Sequence, residues 1–523
     1  MLVALAAIHE RRNLLVPINR LPLDILFLIP VHFTSLSDRL RATFVCRRWR
    51  RAFIQHPPLW SQLYWAGSAD PDPFITLLQR ARGTALDITI DHSAAPVRDV
   101  TILSSLTPQI RSLTIENAHL DKVQALSASI SGPLPLLHTL EIDAGGLGDD
   151  PPILPLFANA VDLKNLTLTM GEIPCLPHFV FPNITTLDFS TAPVTFIVSQ
   201  LLNFLESSPG LQCISLEIKT CQFDEDVPPE RVIVLPNVKT FDLRIICDGA
   251  GWEISTHISC PSAERTKFYH SLPYPGYAVP ENIYPPSHMF STIVRQYTTS
   301  TVDQIVFELK VDEQNFIIDC WLTFTSSNGV SFELHYEHLS DDPYIGIIID
   351  ERFPEVISQA CRTIRDHPFI VGVRFFRIHG GGVDTGDPKL TANDVGRLLG
   401  SMGSLERLTL YETDLLPFLA PFLDTPLYPN AIQPTSFPLI KELVIILPTQ
   451  LLNDRKWTAA IVRLARSQQA RGTPFESIRL EHEVPLAVIE ELVPLVTGTV
   501  KREDKEVLLS SASIITPICT VSR

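Results

Sequence analysis

Leu137-His138-Thr139-Leu140-Glu141-Ile142 sets three apolar residues three and then two positions apart, and the same spacing returns along the chain. It recurs as Ile110-x-x-Leu113-x-Ile115, Leu163-x-x-Leu166-x-Leu168, Ile184-x-x-Leu187-x-Phe189, Leu211-x-x-Ile214-x-Leu216 and Val238-x-x-Phe241-x-Leu243, whose central residues step by 27, 26, 21, 27 and 27. A second series, Ile370-x-x-Val373-x-Phe375, Leu405-x-x-Leu408-x-Leu410, Ile440-x-x-Leu443-x-Ile445 and Phe475-x-x-Ile478-x-Leu480, steps by 35 each time. The closing alternation is that of a half-buried strand. A period of a few tens of residues marks an array in which each turn buries its apolar face against the next. The longer period leaves room for a helix, as Asp394 to Met402 and Trp457 to Ala470 suggest by their spacing.

With 523 residues the chain exceeds one compact core, and a repeat array is one way to use that length. Hydrophobic residues at 45% and charged residues at 19% predict a folded chain rather than a disordered one. A formal charge of -16 argues against nucleic acid, whose phosphates are bound through Lys and Arg, and makes protein partners the default. No apolar run approaches the ~18 residues needed to span a bilayer, so no membrane association is expected. Met1 to Ile8 runs straight into Glu10, Arg11 and Arg12, a poor signal peptide. The nine cysteines form no C-x-x-C pair, which suits reduced thiols inside the cell, in the cytoplasm or the nucleus.

Leu21-Pro22-Leu23-Asp24 opens a short helix, with Pro22 in the first turn and Asp24 at the positive end of the dipole; Ile25, Leu26, Leu28 and Ile29 make it apolar on nearly every side, and Pro30 ends or kinks it. A second helix is predicted from Ser37 to about Phe53, with Leu40, Phe44, Val45, Trp49, Ala52 and Phe53 on one face and Arg39, Arg41, Arg47, Arg48, Arg50 and Arg51 on the rest. Roughly fifty residues cannot bury this many apolar side chains among themselves. They either meet a partner or cap the first repeat. The basic run Arg47 to Arg51 reads as the solvated or partner-facing side of this helix, with an import signal as the alternative.

The run Leu21-Pro22-x-Asp24-Ile25-Leu26-x-x-Ile29, then Leu40, Val45-Cys46-Arg47-Arg48-Trp49 and Pro58-Leu59-Trp60-x-x-Leu63, resembles the F-box. Asp24 stands where Glu is commoner, and Pro30 where that family continues its first helix. The resemblance implies a substrate-receptor subunit of an SCF-type ubiquitin ligase, docking to a Skp-type adaptor and through it to a cullin. Its adaptor-binding positions would be Leu21, Pro22, Ile25, Ile29, Leu40, Val45, Cys46 and Trp49. An F-box scaffold working outside a ligase is the alternative. The triplets are similar to leucine-rich repeats without their usual Asn, and so to the degenerate repeats of fungal F-box proteins.

The expected fold is therefore α/β: a short all-helical F-box over 16–66, a leucine-rich-repeat-like α/β solenoid over 80–268, a β-rich insertion over 269–350, a second repeat series over 351–500 and a tail over 501–523. The insertion combines a Pro- and Tyr-rich stretch from Pro273 to Pro286 with strands over 303–338 turning at Ser326-Ser327-Asn328-Gly329, a sheet-like unit docked on the solenoid.

Catalytic constellations are weak. His379-Gly380-Gly381-Gly382 resembles an oxyanion loop, but no G-x-S-x-G accompanies it. His335 and His338, near Glu337, Asp341 and Asp342, lie three apart on a strand and so on opposite faces. No enzyme activity, cofactor or metal is expected. Along the first series Glu116, Glu141, Asp143, Asp188, Glu217 and Asp242 alternate with the buried positions, interleaved with threonines and Arg244. They are either solvated positions or an acidic surface that captures a basic segment of a protein target.

Overall fold

The computed structural model describes residues 11–13, 15–33, 35–66, 72–92, 101–130, 132–144, 157, 159–170, 181–191, 196–219, 221–222, 227–228, 230–246, 251–272, 302, 304–312, 317–326, 331–339, 361–362, 364–380, 397–411, 440–446, 455–481 and 484–503. The chain divides into two compact units, 1–227 and 228–523.

The first unit begins with three short helices, α1 (Leu23–Leu28), α2 (Leu36–Thr43) and α3 (Arg47–Ile54). Parallel strands follow: β1 (Gln62–Ala66), β2 (Leu86–Asp91), β3 (Ile110–Ala118), β4 (Thr139–Ala144), β5 (Asn165–Met170), β6 (Thr186–Thr191) and β7 (Cys213–Ile218). Each pairs in parallel with the next in this order. The repeated apolar positions come into register as rows, Leu113, Leu140, Leu166, Leu187 and Ile214 in one, Ile115, Ile142, Leu168, Phe189 and Leu216 in the next, and all are buried. Each such side chain contributes about 1.5 to 3 kcal/mol of burial.

The leading residue of each triplet closes a turn. The amides of Leu137, Leu163, Ile184 and Leu211 donate to the carbonyls of Leu134, Ala160, Phe181 and Ser208, three residues earlier, and these earlier side chains are buried too. Parallel strands need a crossover. Helices lie in several crossovers of this unit, among them Asp72–Ala81 between β1 and β2, Thr101–Ser104 between β2 and β3, α4 (Leu120–Ser129) after β3 and α5 (Val198–Glu206) before β7. Val198, Leu201, Leu202 and Leu205 on α5 are buried at helical spacing.

Strand β1 lies inside the range read as an all-helical module. Leu63 and Trp65 alternate inward and Gln62 and Tyr64 outward, so the last residues of 16–66 already belong to the sheet.

The second unit holds β8 (Thr240–Ile245), β9 (Arg265–Leu272), β10 (Gln304–Asp312), β11 (Ile317–Thr325), β12 (Ser331–Leu339), β13 (Phe375–Gly380), β14 (Arg407–Tyr411), β15 (Glu442–Ile446), β16 (Ser477–Glu481) and β17 (Thr499–Glu503). From β13 to β17 successive strands pair in parallel. Helix α6 (Arg455–Ala470) precedes β16 and buries Ala460, Ile461, Leu464, Ala465 and Gln468.

Strands β10, β11 and β12 pair antiparallel in succession and lie in the sheet itself, β12 beside β9 and β10 beside β13. The division at 227/228 falls within the range 80–268, and β9 pairs over eight residues with β12. The stretch from Pro273 to Pro286, together with Asp341, Asp342, Gly381 and Gly382, lies outside the described residues, as does 504–523 of the tail.

Candidate docking surface of the N-terminal module

Helix α1 starts on Pro22, extended at φ -51 and ψ 153, with Asp24 in its first turn. Six residues give it room for one buried position, Leu26; Leu23, Ile25 and Leu28 point to solvent. A 3₁₀ turn over Ile29–His32 takes up Pro30, so the helix ends two residues before that proline.

The single helix expected from Ser37 to Phe53 is two helices. Ser35, not Ser37, caps α2: its Oγ accepts from the Asp38 amide at 3.0 Å and donates to Asp38 Oδ2 at 2.7 Å. The helix stops at Thr43, whose carbonyl accepts from Arg50 Nε at 3.1 Å, and Cys46 is extended at φ -161 and ψ 171. The break resets the helical phase. Phe44 and Val45, expected to share one face with Trp49, Ala52 and Phe53, are therefore 70% and 56% exposed, with the Arg50 guanidinium 5.4 Å from the Phe44 ring centroid. Trp49, Ala52 and Phe53 keep one buried face on α3.

Three residues of the Val45-Cys46-Arg47-Arg48-Trp49 run reach back to the segment before α1. Trp49 Nε1 donates to Asn19 Oδ1 at 2.7 Å, Cys46 Sγ lies 3.8 Å from the same oxygen, and Arg48 donates to the carbonyls of Asn19 and Leu21.

Other side chains fasten these helices to the sheet of the same unit. Arg39, read as a surface residue, is 6% exposed and donates to the carbonyls of Leu59 at 3.1 Å and Gln62 at 3.2 Å; burial lowers its pKa. Trp60 donates from Nε1 to the Phe53 carbonyl at 2.9 Å and carries the Arg80 guanidinium over its ring at 4.9 Å. Trp65 stacks on Phe74. The helical module so fixed leaves Leu23, Ile25, Leu28, Phe44 and Val45 exposed.

Residues 18–65 match the F-box-like family model. No curated protein matches the chain. F-box domains generally bind Skp1-type adaptors. Of the positions expected to dock, Pro22, Ile25 and Val45 are exposed, and Leu21, Ile29, Leu40 and Cys46 are half-buried. Trp49 is buried, and Cys46 and Trp49 both turn inward to Asn19. Trp49 belongs to the interior of the F-box-like module, because a buried indole needs a polar partner and finds it inside. Leu23, Leu28 and Phe44, outside the expected docking positions, are exposed as well. The surplus of apolar residues over what a six-residue helix can bury was the available signal for the two leucines; for Phe44 no local signal marked the helix break.

The expected target-binding acids fall on both units. In the first, Glu141 and Asp188 flank Thr167 in one register row, and Asp143 and Glu217 flank Thr169 and Ser190 in the next. Glu116 lies beside Asp91. Asp242 belongs to the second unit, beside Lys267. The acidic surface is partly neutralised within the chain: Lys219 lies 3.5 Å from Glu217, and Arg111 makes a bidentate pair with Asp87 at 2.9 and 2.6 Å. The second unit carries its own ion pairs, Arg374 to Glu406 at 2.8 Å and both Arg407 and Arg479 to Glu442 at 2.5 and 2.8 Å; the Arg374 bond holds the Glu406 carboxyl below its ordinary range. No helix among the described residues is long and apolar enough to cross a membrane, and no cluster among them is arranged to hold a metal ion.

Proposed function

We propose that the protein is a substrate-receptor subunit of an SCF-type (Skp–cullin–F-box) ubiquitin ligase. The F-box-like module docks to a Skp-type adaptor, which bridges to a cullin, and the leucine-rich-repeat-like strands form a solenoid that holds a protein target. Ubiquitin transfer takes place on other subunits; this chain contributes binding.

One observation carries the reading: a module that matches the F-box-like family leaves Leu23, Ile25, Leu28, Phe44 and Val45 exposed while its polar side chains brace it against the sheet. Exposed apolar side chains of this kind are the usual anchors of a protein interface. On the target side, the outward rows around Glu141 and Asp188 suit a basic segment.

Co-purification of the full chain tests the proposal, with adaptor and cullin both retained as the expected result. Adaptor without cullin would favour a scaffold outside a ligase. Neither partner, from a folded chain, would overturn the adaptor assignment.

A further inference from the structure

We infer that Asn19 is a positioning residue that fixes how the docking surface is presented; the inference rests on the adaptor reading above and deepens it. Asn19 is 5% exposed in a segment whose neighbours Val16, Ile18 and Leu23 are all exposed. Burying a primary amide is unfavourable unless both of its ends are hydrogen-bonded. Here both are. Oδ1 accepts from Trp49 Nε1 and lies near Cys46 Sγ, and Nδ2 donates to the Asn13 carbonyl at 2.8 Å. The backbone joins in, with the Asn19 amide donating to the Val16 carbonyl and the Asn19 and Leu21 carbonyls accepting from Arg48.

Asn19 therefore ties three things together: the chain upstream at Asn13, the turn that leads into α1, and the indole of α3. The side-chain chemistry is specific. Leucine would fill similar volume but leave the Trp49 N–H without its acceptor, and aspartate would keep the acceptor while losing the donor and setting a charge against the Asn13 carbonyl. In either case the segment before α1 would have to be ordered on binding, and that ordering is subtracted from affinity.

The test uses the full chain and a purified Skp-type adaptor, with the variants Asn19→Leu and Trp49→Phe. The second keeps an aromatic ring against Phe53 and removes the indole N–H together with part of the ring system. In both, the thermal transition should stay cooperative, amide exchange at Asn19, Leu21 and Leu26 should accelerate while that of β3 to β6 does not, and adaptor affinity should fall at least about tenfold. A purely structural residue would move the melting transition and leave the affinity of the folded fraction alone. If wild type binds and the folded variants bind within about twofold of it, the inference is overturned; should Asn19→Leu unfold, Trp49→Phe decides alone. If wild type fails to bind the adaptor, it is the docking reading that fails, and the inference falls with it.

Discussion

Trp49 and Asn19, thirty residues apart, are joined by a 2.7 Å hydrogen bond from the indole Nε1 to the amide Oδ1. That bond makes Trp49 an inward residue and separates two properties that the sequence pattern merges, being apolar within the motif and being available to a partner. Substitutions of the exposed docking side chains should therefore affect adaptor binding without affecting stability.

The docking side chains should be dispensable for folding. Leu28→Glu combined with Val45→Glu should change stability by no more than about 1 kcal/mol, since both sites are exposed, yet weaken adaptor binding by about 2 to 4 kcal/mol. Trp49→Ala should instead cost about 3 to 5 kcal/mol of folding stability. Denaturant melts and adaptor titrations on the same preparations separate the two; equal effects of both variants on stability would contradict the assignment.

Arg39 should matter far more than its position in a basic stretch suggests. Arg39→Met removes the donors to the Leu59 and Gln62 carbonyls and should destabilise the first unit by about 2 to 4 kcal/mol. Arg41, exposed and 3.6 Å from Asp38, is the control, and Arg41→Met should stay within about 0.5 kcal/mol. Urea midpoints measure both.

Leu166 lies in a fully buried row, so Leu166→Ala should cost about 2 to 5 kcal/mol. Leu136, 40% exposed at the turn before β4, is the matched comparison, with a cost of about 0.5 kcal/mol or less. A thermal scan that cannot tell the two variants apart would remove Leu166 from the core.

Tyr64 donates to Asp91 Oδ2 at 2.7 Å, and that bond, with partial burial and the Asp91 and Glu116 charges, pushes the phenol up to about 12. The unfolded phenol ionises near about pH 10. Its folded pKa is the higher one, so its contribution is fully present below the unfolded value and is lost as pH rises toward about 12. Ultraviolet titration against Tyr64→Phe should show one late-ionising phenol missing from the variant. Identical curves above pH 10 would place the Tyr64 hydroxyl away from Asp91.

What the sequence by itself determined is local and periodic. The spacing of Leu113, Leu140, Leu166, Leu187 and Ile214 located strands and their buried side, because alternation is a property of each strand alone and the same face must be buried in every turn. The strands flanking Ser326 to Gly329 and helix α6 were legible for the same reason. Tertiary structure decided the rest. Whether Thr43 ends a helix depends on Arg50 reaching its carbonyl, whether Trp49 is inside depends on Asn19, and whether Arg39 is buried depends on carbonyls at 59 and 62. The placement of β10 to β12 within the sheet depends on partners tens of residues away, Ser331 beside Arg265 and Phe375 beside Gln304. A hydrogen bond to a distant carbonyl leaves no period in the sequence, so only the folded chain can show which polar side chains turn inward and which apolar ones are left for a partner.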